Sequence, residues 1–369
     1  MKSKRIAIVH DWLIDNGGAE KVLKSILEIY PQSDIFTLVH SDKFNDEYIN
    51  SKNIKTSFIN KLPLARKKYR SYLPLFPLAV EQFDLSDYDV IISSSYCVAK
   101  GVITGPRQLH VCYCHSPVRY AWDLQYQYLK ESNLLSGIKS YVARYFLSKL
   151  RIWDVISSNR VDFYLSNSNF IQRRIKKCYR RNAETIYPPV ETSAFELSEI
   201  KKDYYFSCSR LVQYKKIKLI VQAFNLMPNK KLIVAGTGPE FDDIAKIAKE
   251  NITMLGYVQF DELKVLMAEA KCFVFAAEED FGIIPVEAQA CGTPVVAYGK
   301  GGSLETVIDG KTGLHFQHQT TESICNAIEK FEKLTFNPKD IREHALTFDD
   351  SIFKQKIMNF ISSRVDENQ

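Results

Sequence analysis

The chain has 369 residues, of which 46% are hydrophobic, 25% charged and 12% aromatic. This composition is typical of a folded globular protein and excludes a disordered, a collagen-like or a small disulfide-stapled chain. At roughly 100–200 residues per domain, the length predicts about two domains. No stretch approaches the roughly 18 consecutive apolar residues of a membrane-spanning helix, and the first residues show no signal-peptide core, so we expect a cytoplasmic protein.

The formal net charge of +6 is unevenly distributed along the chain. Residues 1–190 contain 28 Lys and Arg against 17 Asp and Glu, a net charge of +11, whereas residues 191–369 carry −5. Such an excess is typical of a solvated basic face, or of a surface that meets an anionic partner. Nucleic acid, anionic lipid and phosphorylated substrates all fit that description.

Short apolar runs alternate with amphipathic helical stretches, which predicts an α/β protein with parallel sheets. Consecutive prolines at Pro188 and Pro189 exclude a helix there and divide the chain. We predict two doubly wound domains, 1–187 and 188–347, with the ligand at the carboxyl ends of their strands in a cleft between them. Residues 348–369 have helical spacing and are expected to pack back on the first domain. In chain order, the predicted elements are a strand at Arg5–His10, a helix at Ala19–Tyr30, and strands at Val90–Ser94, Val161–Ser166, Tyr204–Ser209, Lys231–Gly236, Phe273–Ala277 and Pro294–Ala297.

Two glycine-rich turns follow predicted strands. Gly17 and Gly18 precede the first helix, whose free N–H groups attract anions, although an ordinary strand-to-helix turn has the same pattern. The segment from Gly236 to Glu240 (GTGPE) superficially resembles a dinucleotide fingerprint, but Phe241 stands where its third glycine is required. The sequence therefore disfavours NAD binding.

The second half also carries two charged segments. Glu279 lies in the acidic segment after a strand, and Glu287 lies one to two turns into the following helix. Capping of the helix by acids explains Glu279 or Asp280 but not a carboxylate placed deeper in an apolar helix. Arg210 and Lys215 follow the strand Tyr204–Ser209 and would clamp a diphosphate, although lysines in such a segment are more often solvated.

Together these segments resemble glycosyltransferase family 4. SRLVQYKK, VAGTGPE, GYV, EEDFGIIPVEAQACGTPVVA and GGSLETVIDGKTGLHF are similar to its nucleotide-sugar-binding half, and Glu279 and Glu287 match the spacing of its paired-glutamate signature. IAIVHDWLIDNGGAEKV, DYDVIISSSYCVAKG and HVCYCHSPVRYAWDL resemble bacterial mannosyltransferases that build O-antigen and related surface polysaccharides. Gln213 and the segment 216–218 (KIK) depart from that branch, in which proline and Arg-Val-Asp are more usual.

The resemblance implies the GT-B fold and a retaining transfer that needs no metal or other cofactor. The donor would be a nucleotide sugar, with GDP-mannose favoured and a UDP-sugar as the alternative. Asp87-Tyr88-Asp89 precedes a strand and is interpreted as a turn rather than a metal site. Cys112 and Cys114 beside His115 lack the second ligand pair of a zinc site.

The resemblance also assigns roles. Glu287 would bind the ribose, Glu279 the transferred sugar, and Arg210 with Lys215 the diphosphate. His115 resembles the family histidine near the reaction centre and would orient the sugar, the alternative being a packed loop histidine. The catalytic set is therefore His115, Arg210, Lys215 and Glu279. The donor-binding set is Gly17, Gly18, Arg210, Lys215, Gly236, Tyr257, Val258, Glu279, Phe281, Gly282, Ile283 and Glu287.

The stretch Ile138–Trp153 interleaves basic and aromatic residues, as expected of a helix that lies on an anionic leaflet, or of a domain helix with one solvated basic face. The resemblance implies an undecaprenyl-diphosphate-linked glycan acceptor, and hence attachment to the cytoplasmic face of the inner membrane. A non-enzymatic protein that binds nucleic acid through its basic half is the remaining alternative. It leaves Glu279 and Glu287 unexplained, and we expect no nucleic-acid partner.

Overall fold

The computed structural model describes residues 4–367, and the chain divides into two compact units. The first unit extends to Tyr187 and includes the chain again from Phe353 onward. The second unit extends from Pro188 to Ile352. The segment 348–369 is thus divided, with its first five residues in the second unit.

The first unit is built on a seven-stranded sheet in which every neighbouring pair is parallel. The spatial order is β3-β2-β1-β4-β5-β6-β7. Its strands are β1 (Ile6–His10), β2 (Asp34–Thr37), β3 (Ile54–Thr56), β4 (Val90–Ser95), β5 (Leu109–Cys114), β6 (Phe163–Ser166) and β7 (Ala183–Thr185). Its helices are α1 (Gly18–Ile29), α2 (Glu47–Asn50), α3 (Ala65–Lys68), α4 (Phe76–Glu81), α5 (Gln125–Glu131), α6 (Ile138–Ser158) and α7 (Asn169–Tyr179).

Both faces of this sheet are buried, because successive side chains of a strand point to opposite faces. Ala7 and Val9 of β1 pack in one cluster with Ile91 of β4, whereas Ile8 packs in a second cluster with Ile92. A strand buried on both sides has no polar face, which explains why β1 and the start of β4 read as continuous apolar runs.

The last helix, α15 (Asp350–Glu367), covers the second of these clusters. Phe353, Ile357, Phe360 and Ile361 recur at helical spacing and are buried against it. The ring of Phe353 meets that of Tyr113 edge-on, with centroids 5.7 Å apart. Most of the last helix therefore belongs to the first unit, although it follows the second unit in the sequence.

The second unit contains a six-stranded parallel sheet with the order β10-β9-β8-β11-β12-β13. Its strands are β8 (Lys202–Cys208), β9 (Leu232–Ala235), β10 (Ile252–Gly256), β11 (Ala270–Phe275), β12 (Val295–Tyr298) and β13 (Gly313–Phe316). Its helices are α8 (Ile217–Phe224), α9 (Phe241–Ala245), α10 (Phe260–Glu269), α11 (Ile283–Ala290), α12 (Ser303–Thr306), α13 (Thr321–Phe331) and α14 (Pro338–Leu346).

The prediction of an α/β protein with two parallel sheets is confirmed, and each predicted strand overlaps an observed one. Strand β5 was not predicted, although all six of its residues are buried. Short edge strands such as β3 and β7 were not predicted either. Within residues 4–367, no helix combines the length and the apolar character needed to cross a bilayer.

Candidate functional site

In the second unit, the carboxyl ends of four neighbouring strands carry the predicted donor-binding residues. Strands β10, β9, β8 and β11 are consecutive in the sheet, and all are parallel. The segments that follow them therefore emerge at one edge of the sheet, where open α/β proteins bind ligands.

Lys215 and Glu279, which were predicted separately, form an ion pair. The Lys215 ammonium donates a hydrogen bond to Oε1 of Glu279, and the two side chains are only 14% and 20% exposed. Lys215 ends a single 3₁₀ turn, Gln213–Lys215, and Glu279 lies in the loop after β11. The pair fixes the ammonium beside the end of β8 in partly desolvated surroundings, where a phosphate would interact with it more strongly than in water.

Glu287 is buried in the middle of α11. Its carboxylate and the Lys215 ammonium are both electrostatic neighbours of the Cys208 thiol at the end of β8. Burial, and then the charge of Glu287, raise the pKa of Cys208, while Lys215 opposes the rise. Glu287 therefore lies beside the end of the strand that precedes Arg210 and Lys215.

Close backbone contacts between neighbouring loops explain two of the glycines. Gly236 has a φ of +127°, and a Cβ there would lie 1.9 Å from the carbonyl oxygen of Ser209. Gly302 meets Phe281 as closely, since its Cβ would lie 2.3 Å from Phe281 Cα. The loop after β9 is thus closed against the loop after β8, and the loop after β12 against the loop after β11.

The turn that opens α11 is formed as predicted, with Phe281 buried and Gly282 at a φ of +89° as the N-cap. The N-cap residue is therefore a glycine and not Glu279 or Asp280, and no capping hydrogen bond comes from an N-cap side chain. Ile283 begins the helix and is partly exposed. The backbone N–H groups in the first turn of a helix such as α11 attract anions.

Three other predicted residues line the same edge but are more exposed. Arg210 follows β8 and is exposed, and within residues 4–367 its guanidinium forms no ion pair. Tyr257 and Val258 follow β10, the outermost strand of this edge, with Tyr257 exposed and Val258 partly buried. Tyr257 and Val258 would therefore contact only a ligand that extends along the edge of the sheet as far as β10.

In the first unit, the predicted Gly17 and Gly18 lie where α1 begins. Gly17 is the N-cap, and its backbone N–H donates to Oε2 of Glu20 over 2.9 Å. The other oxygen of Glu20 lies 3.3 Å from Nε2 of His10, the last residue of β1. The glycine turn is therefore held by a buried carboxylate that sequence reasoning did not select.

His115 follows β5 and is buried, and its Nε2 lies 2.8 Å from Oγ of Ser94 in β4. Ser94 Oγ also lies 3.1 Å from Nδ1 of His10. Burial, with smaller effects from His10 and Arg119, lowers the pKa of His115 to about 3. The imidazole is therefore neutral near pH 7 and suited to hydrogen bonding rather than to carrying charge.

Asp11, next to His10, joins β1 to the loop after β4. Its two carboxylate oxygens accept backbone N–H bonds of 2.6–2.9 Å from the four consecutive residues 96–99. Burial raises the pKa of Asp11, but four donors leave no position for a carboxyl proton, so we expect the ionised form. Asp11 therefore has a structural role in shaping the loop beside Ser94.

The remaining metal-ligand candidates do not assemble. Among residues 4–367, no group of three or more His, Cys, Asp or Glu side chains is arranged to hold a metal ion. Cys112 and Cys114 point into an apolar cluster with Tyr164 and Ile171. In the Asp-Tyr-Asp segment, Asp89 accepts a hydrogen bond from the backbone of Arg5 over 2.8 Å.

The structure thus places the predicted residues at the carboxyl edges of two sheets. One signal for the residues that were not selected was present in the sequence. His10 ends a predicted strand, Ser94 ends another, and Glu20 lies in the first turn of the helix after the glycines. Parallel strands that are neighbours bring such polar ends together, but strand order cannot be read from the sequence.

Two family models match consecutive parts of the chain. The model described as Glycosyltransferase Family 4 matches residues 16–194, and the model described as Glycosyl transferases group 1 matches residues 191–347. The two matches overlap at residues 191–194, a few residues after the boundary of the two compact units at Tyr187 and Pro188.

Three similar proteins add detail. An alpha-1,3/1,6-mannosyltransferase of Dictyostelium discoideum is 26% identical over 70% of this chain and 70% of its own. A GDP-mannose-dependent alpha-(1-6)-phosphatidylinositol monomannoside mannosyltransferase of Mycolicibacterium smegmatis is 31% identical over 32% of this chain and 36% of its own. The crystal structure of Anabaena HepE in complex with UDP and glucose has a TM-score of 0.69 at 20% identity, covering 98% of this chain and all of that one.

Proposed function

Because this chain belongs to glycosyltransferase family 4 and has the GT-B fold, we propose that it transfers mannose from GDP-mannose to a lipid-linked glycan with retention of configuration. The observation that carries this proposal is the edge of the second sheet, where the Lys215–Glu279 pair, Glu287 and Arg210 follow neighbouring strands whose loops approach closely at Gly236 and Gly302. In this proposal, the two cations bind the phosphates of one nucleotide sugar, and the two carboxylates accept hydrogen bonds from its hydroxyls.

The diphosphate leaving group gains negative charge as the bond to the sugar breaks. In the proposed mechanism, Arg210 and Lys215 neutralise that charge, together with the N–H groups at the start of α11. These groups take the place of a metal ion, so we expect transfer to proceed at full rate in EDTA. Glu287 would accept hydrogen bonds from the ribose, and Glu279 would position the transferred sugar while it orients Lys215.

GDP-mannose is favoured as donor because relatives with mannosyltransferase names include one called GDP-mannose-dependent. The structure of HepE with UDP and glucose makes a UDP-sugar the second candidate. Calorimetric titration of the protein with GDP and with UDP separates the two. Tighter binding of UDP would contradict the mannose proposal without affecting the proposed transfer.

Lys215 and Lys218 offer a matched pair for the test of the site. Both lie in the segment after β8, but only Lys215 is partly buried and paired with Glu279. By analogy with the loss of one oxyanion donor, Lys215→Ala should lower kcat by about 10²–10³, whereas Lys218→Ala should leave it within about twofold, as expected of an exposed surface position. Steady-state kinetics with GDP-mannose and a lipid-diphosphate glycan measure both.

Two further outcomes bear on the proposal. NMR of the product should show the α-linkage of the donor preserved, and an inverted linkage would exclude retention. Full activity in both Glu287→Gln and Arg210→Ala would mean that the donor binds elsewhere.

Helix α6 supports attachment of the enzyme to an anionic membrane that holds a lipid-linked acceptor. Its inward face is mixed: Leu150 packs in a hydrophobic cluster, whereas Ser140, Asp154 and Ser157 are also buried and Asp154 forms an ion pair with buried Lys100. Its outward face is apolar, contrary to the usual pattern of a surface helix. The exposed apolar side chains of this helix are Ile138, Tyr141, Val142, Tyr145, Phe146, Ile152, Val155 and Ile156.

Cations accompany this apolar face. Lys139, Lys149 and Arg144 belong to α6, and Lys149 lies over the ring of Tyr145 at 5.5 Å from its centroid. An apolar face with basic residues is the pattern of a helix that lies in a membrane interface. Attachment through α6 would bring the first unit close to an acceptor whose lipid stays in the bilayer.

A further inference from the structure

A buried chain of hydrogen bonds links four polar side chains of the first unit. It runs from Glu20 Oε1 to His10 Nε2 (3.3 Å), from His10 Nδ1 to Ser94 Oγ (3.1 Å), and from Ser94 Oγ to His115 Nε2 (2.8 Å). These residues come from α1, β1, β4 and the end of β5. All four are less than a tenth exposed.

For imidazoles that carry a single proton, the direction of every hydrogen bond in this chain follows from what each group can donate. The Glu20 carboxylate only accepts, and its second oxygen already accepts the N–H of Gly17, so His10 must donate from Nε2. With its proton on Nε2, His10 has a lone pair on Nδ1. The Ser94 hydroxyl donates its single hydrogen bond to that lone pair. The Ser94 oxygen can therefore only accept from His115, which must carry its proton on Nε2.

We propose that Glu20, His10 and Ser94 are positioning residues that hold His115 in the Nε2–H tautomer, so that its Nδ1 accepts a hydrogen bond from a hydroxyl of a sugar substrate. This inference rests on the proposed function, because that function supplies the sugar hydroxyl. No protein group within residues 4–367 forms a hydrogen bond with Nδ1 of His115, so its lone pair is left for a ligand.

The surroundings of His115 fix the rest of its geometry. Its backbone N–H donates to Ser95 over 2.8 Å, and its carbonyl accepts from the Asn167 amide over 3.1 Å. The rings of Tyr96 and Tyr113 meet the imidazole edge-on, with centroids 6.0 and 5.1 Å away. With the backbone and ring plane held, the bond to Ser94 is the contact that decides which ring nitrogen carries the proton.

The sequence offers a matched control one residue away. Ser93 Oγ lies 2.9 Å from Nε2 of buried His110, so it makes the same kind of bond as Ser94. Consecutive residues of a strand point to opposite faces, and Ser93 therefore faces away from His115. Ser93→Ala removes a buried serine–histidine hydrogen bond of the same type and leaves the hydrogen bonds from Glu20 to His115 in place.

The test is the ring-nitrogen NMR spectrum of protein labelled with ¹⁵N-histidine, recorded at pH about 8.5, where an imidazole ordinarily carries one proton. His115→Gln identifies the His115 signals. We expect a protonated Nε2 and an unprotonated Nδ1 in the wild type and in Ser93→Ala. Ser94→Ala and His10→Gln should each give a mixture of tautomers. A wild-type His115 protonated on Nδ1, or an unchanged tautomer in both Ser94→Ala and His10→Gln, would overturn the proposal.

Kinetics provide a second readout. The free energy of one neutral hydrogen bond corresponds to a change in rate of about 3- to 10-fold. In Ser94→Ala, kcat should therefore fall by that factor, and the affinity for GDP should be unchanged. Ser93→Ala should retain the wild-type kcat. If the donor proves to be a UDP-sugar, the tautomer result still stands, so failure of the donor proposal and failure of this one are distinguishable. An equal fall in kcat for Ser93→Ala and Ser94→Ala would reduce Ser94 to a structural role.

Discussion

Single residues at the edge of the second sheet are constrained by backbone geometry as much as by charge. Gly236 and Gly302 allow neighbouring loops to approach to distances that no side chain permits. The ion pair of Lys215 with Glu279 then fixes two functional groups relative to that backbone. A nucleotide sugar that binds there, as proposed, would meet groups that are already largely arranged, which would reduce the entropy lost on binding.

Gly236→Ala tests this dependence on the backbone. Its Cβ would meet the Ser209 carbonyl at 1.9 Å, and its φ of +127° is strained for any side chain. We expect a loss of about 3 kcal/mol or more, from overpacking and backbone strain together. Urea unfolding followed by fluorescence measures the loss, and nucleotide affinity should fall in parallel because the loop after β8 is displaced.

Gly310→Ala is the control for that substitution. Gly310 also has a positive φ, +76°, but a Cβ there would meet nothing within 4 Å. Only the conformational cost of about 1 kcal/mol should remain. Equal losses in the two variants would mean that strain alone, and not the approach of the loops, explains the need for Gly236.

At the scale of elements, the end of α13 is tied to strands β8 and β11 by one carboxylate. Partial burial would raise the pKa of Glu332, but hydrogen bonds from Lys230, Lys271 and Tyr205 lower it from 4.5 to about 2. A carboxylate with a lowered pKa stabilises the fold above its ordinary value of 4.5, and this contribution is lost as the pH falls towards 2.

Glu332→Gln should therefore remove part of the pH dependence of stability. Because the side chain is 29% exposed and solvent screens the pair, we expect about 1 kcal/mol at pH 7 rather than the full value of the shift. The difference from wild type should shrink between pH about 5 and about 2 in a series of urea titrations. Glu329→Gln, at an exposed position of the same helix, should show no such trend.

The sequence predicted those elements whose pattern is local. The first helix, the strands β1, β4, β6, β8, β9, β11 and β12, and the terminal helix follow from apolar runs and helical spacing. Strand β5 lacks such a pattern, because its sequence, LHVCYC, interleaves His and Cys with apolar residues. All six of its residues are nevertheless buried.

The site was predictable to the extent that its residues lie in recognisable segments. Arg210, Lys215, Glu279 and Glu287 were identified from such segments, but that Lys215 pairs with Glu279 depends on β8 and β11 being neighbours. The series of hydrogen bonds from Glu20 through His10 and Ser94 to His115 likewise depends on the strand order β1-β4-β5. Contacts between strands far apart in sequence follow from tertiary packing and not from local pattern.

At the scale of the whole molecule, charge and apolar exposure are distributed together. The half of the chain with a net charge of +11 contains helix α6 and its exposed apolar face, whereas the half with −5 contains the paired glutamates. An anionic bilayer would attract the first half and repel the second. The distribution thus supports the proposal that the first unit attaches to a membrane.

Ile138 and Ile200 allow this to be tested with matched variants, because both are 82% exposed but Ile138 begins α6 and Ile200 belongs to the second unit. Binding to an interface scales with the apolar area it buries, and each nearby cation adds about 1 kcal/mol, or about fivefold. In co-sedimentation with vesicles rich in anionic lipid, Ile138→Ser with Lys149→Ala should lower the partition coefficient at least fivefold, whereas Ile200→Ser should leave it unchanged. Raising the salt from 50 to 500 mM should weaken wild-type binding by screening its cations. Binding that is insensitive to salt, or equally reduced by Ile200→Ser, would mean that α6 is not the surface that meets the bilayer.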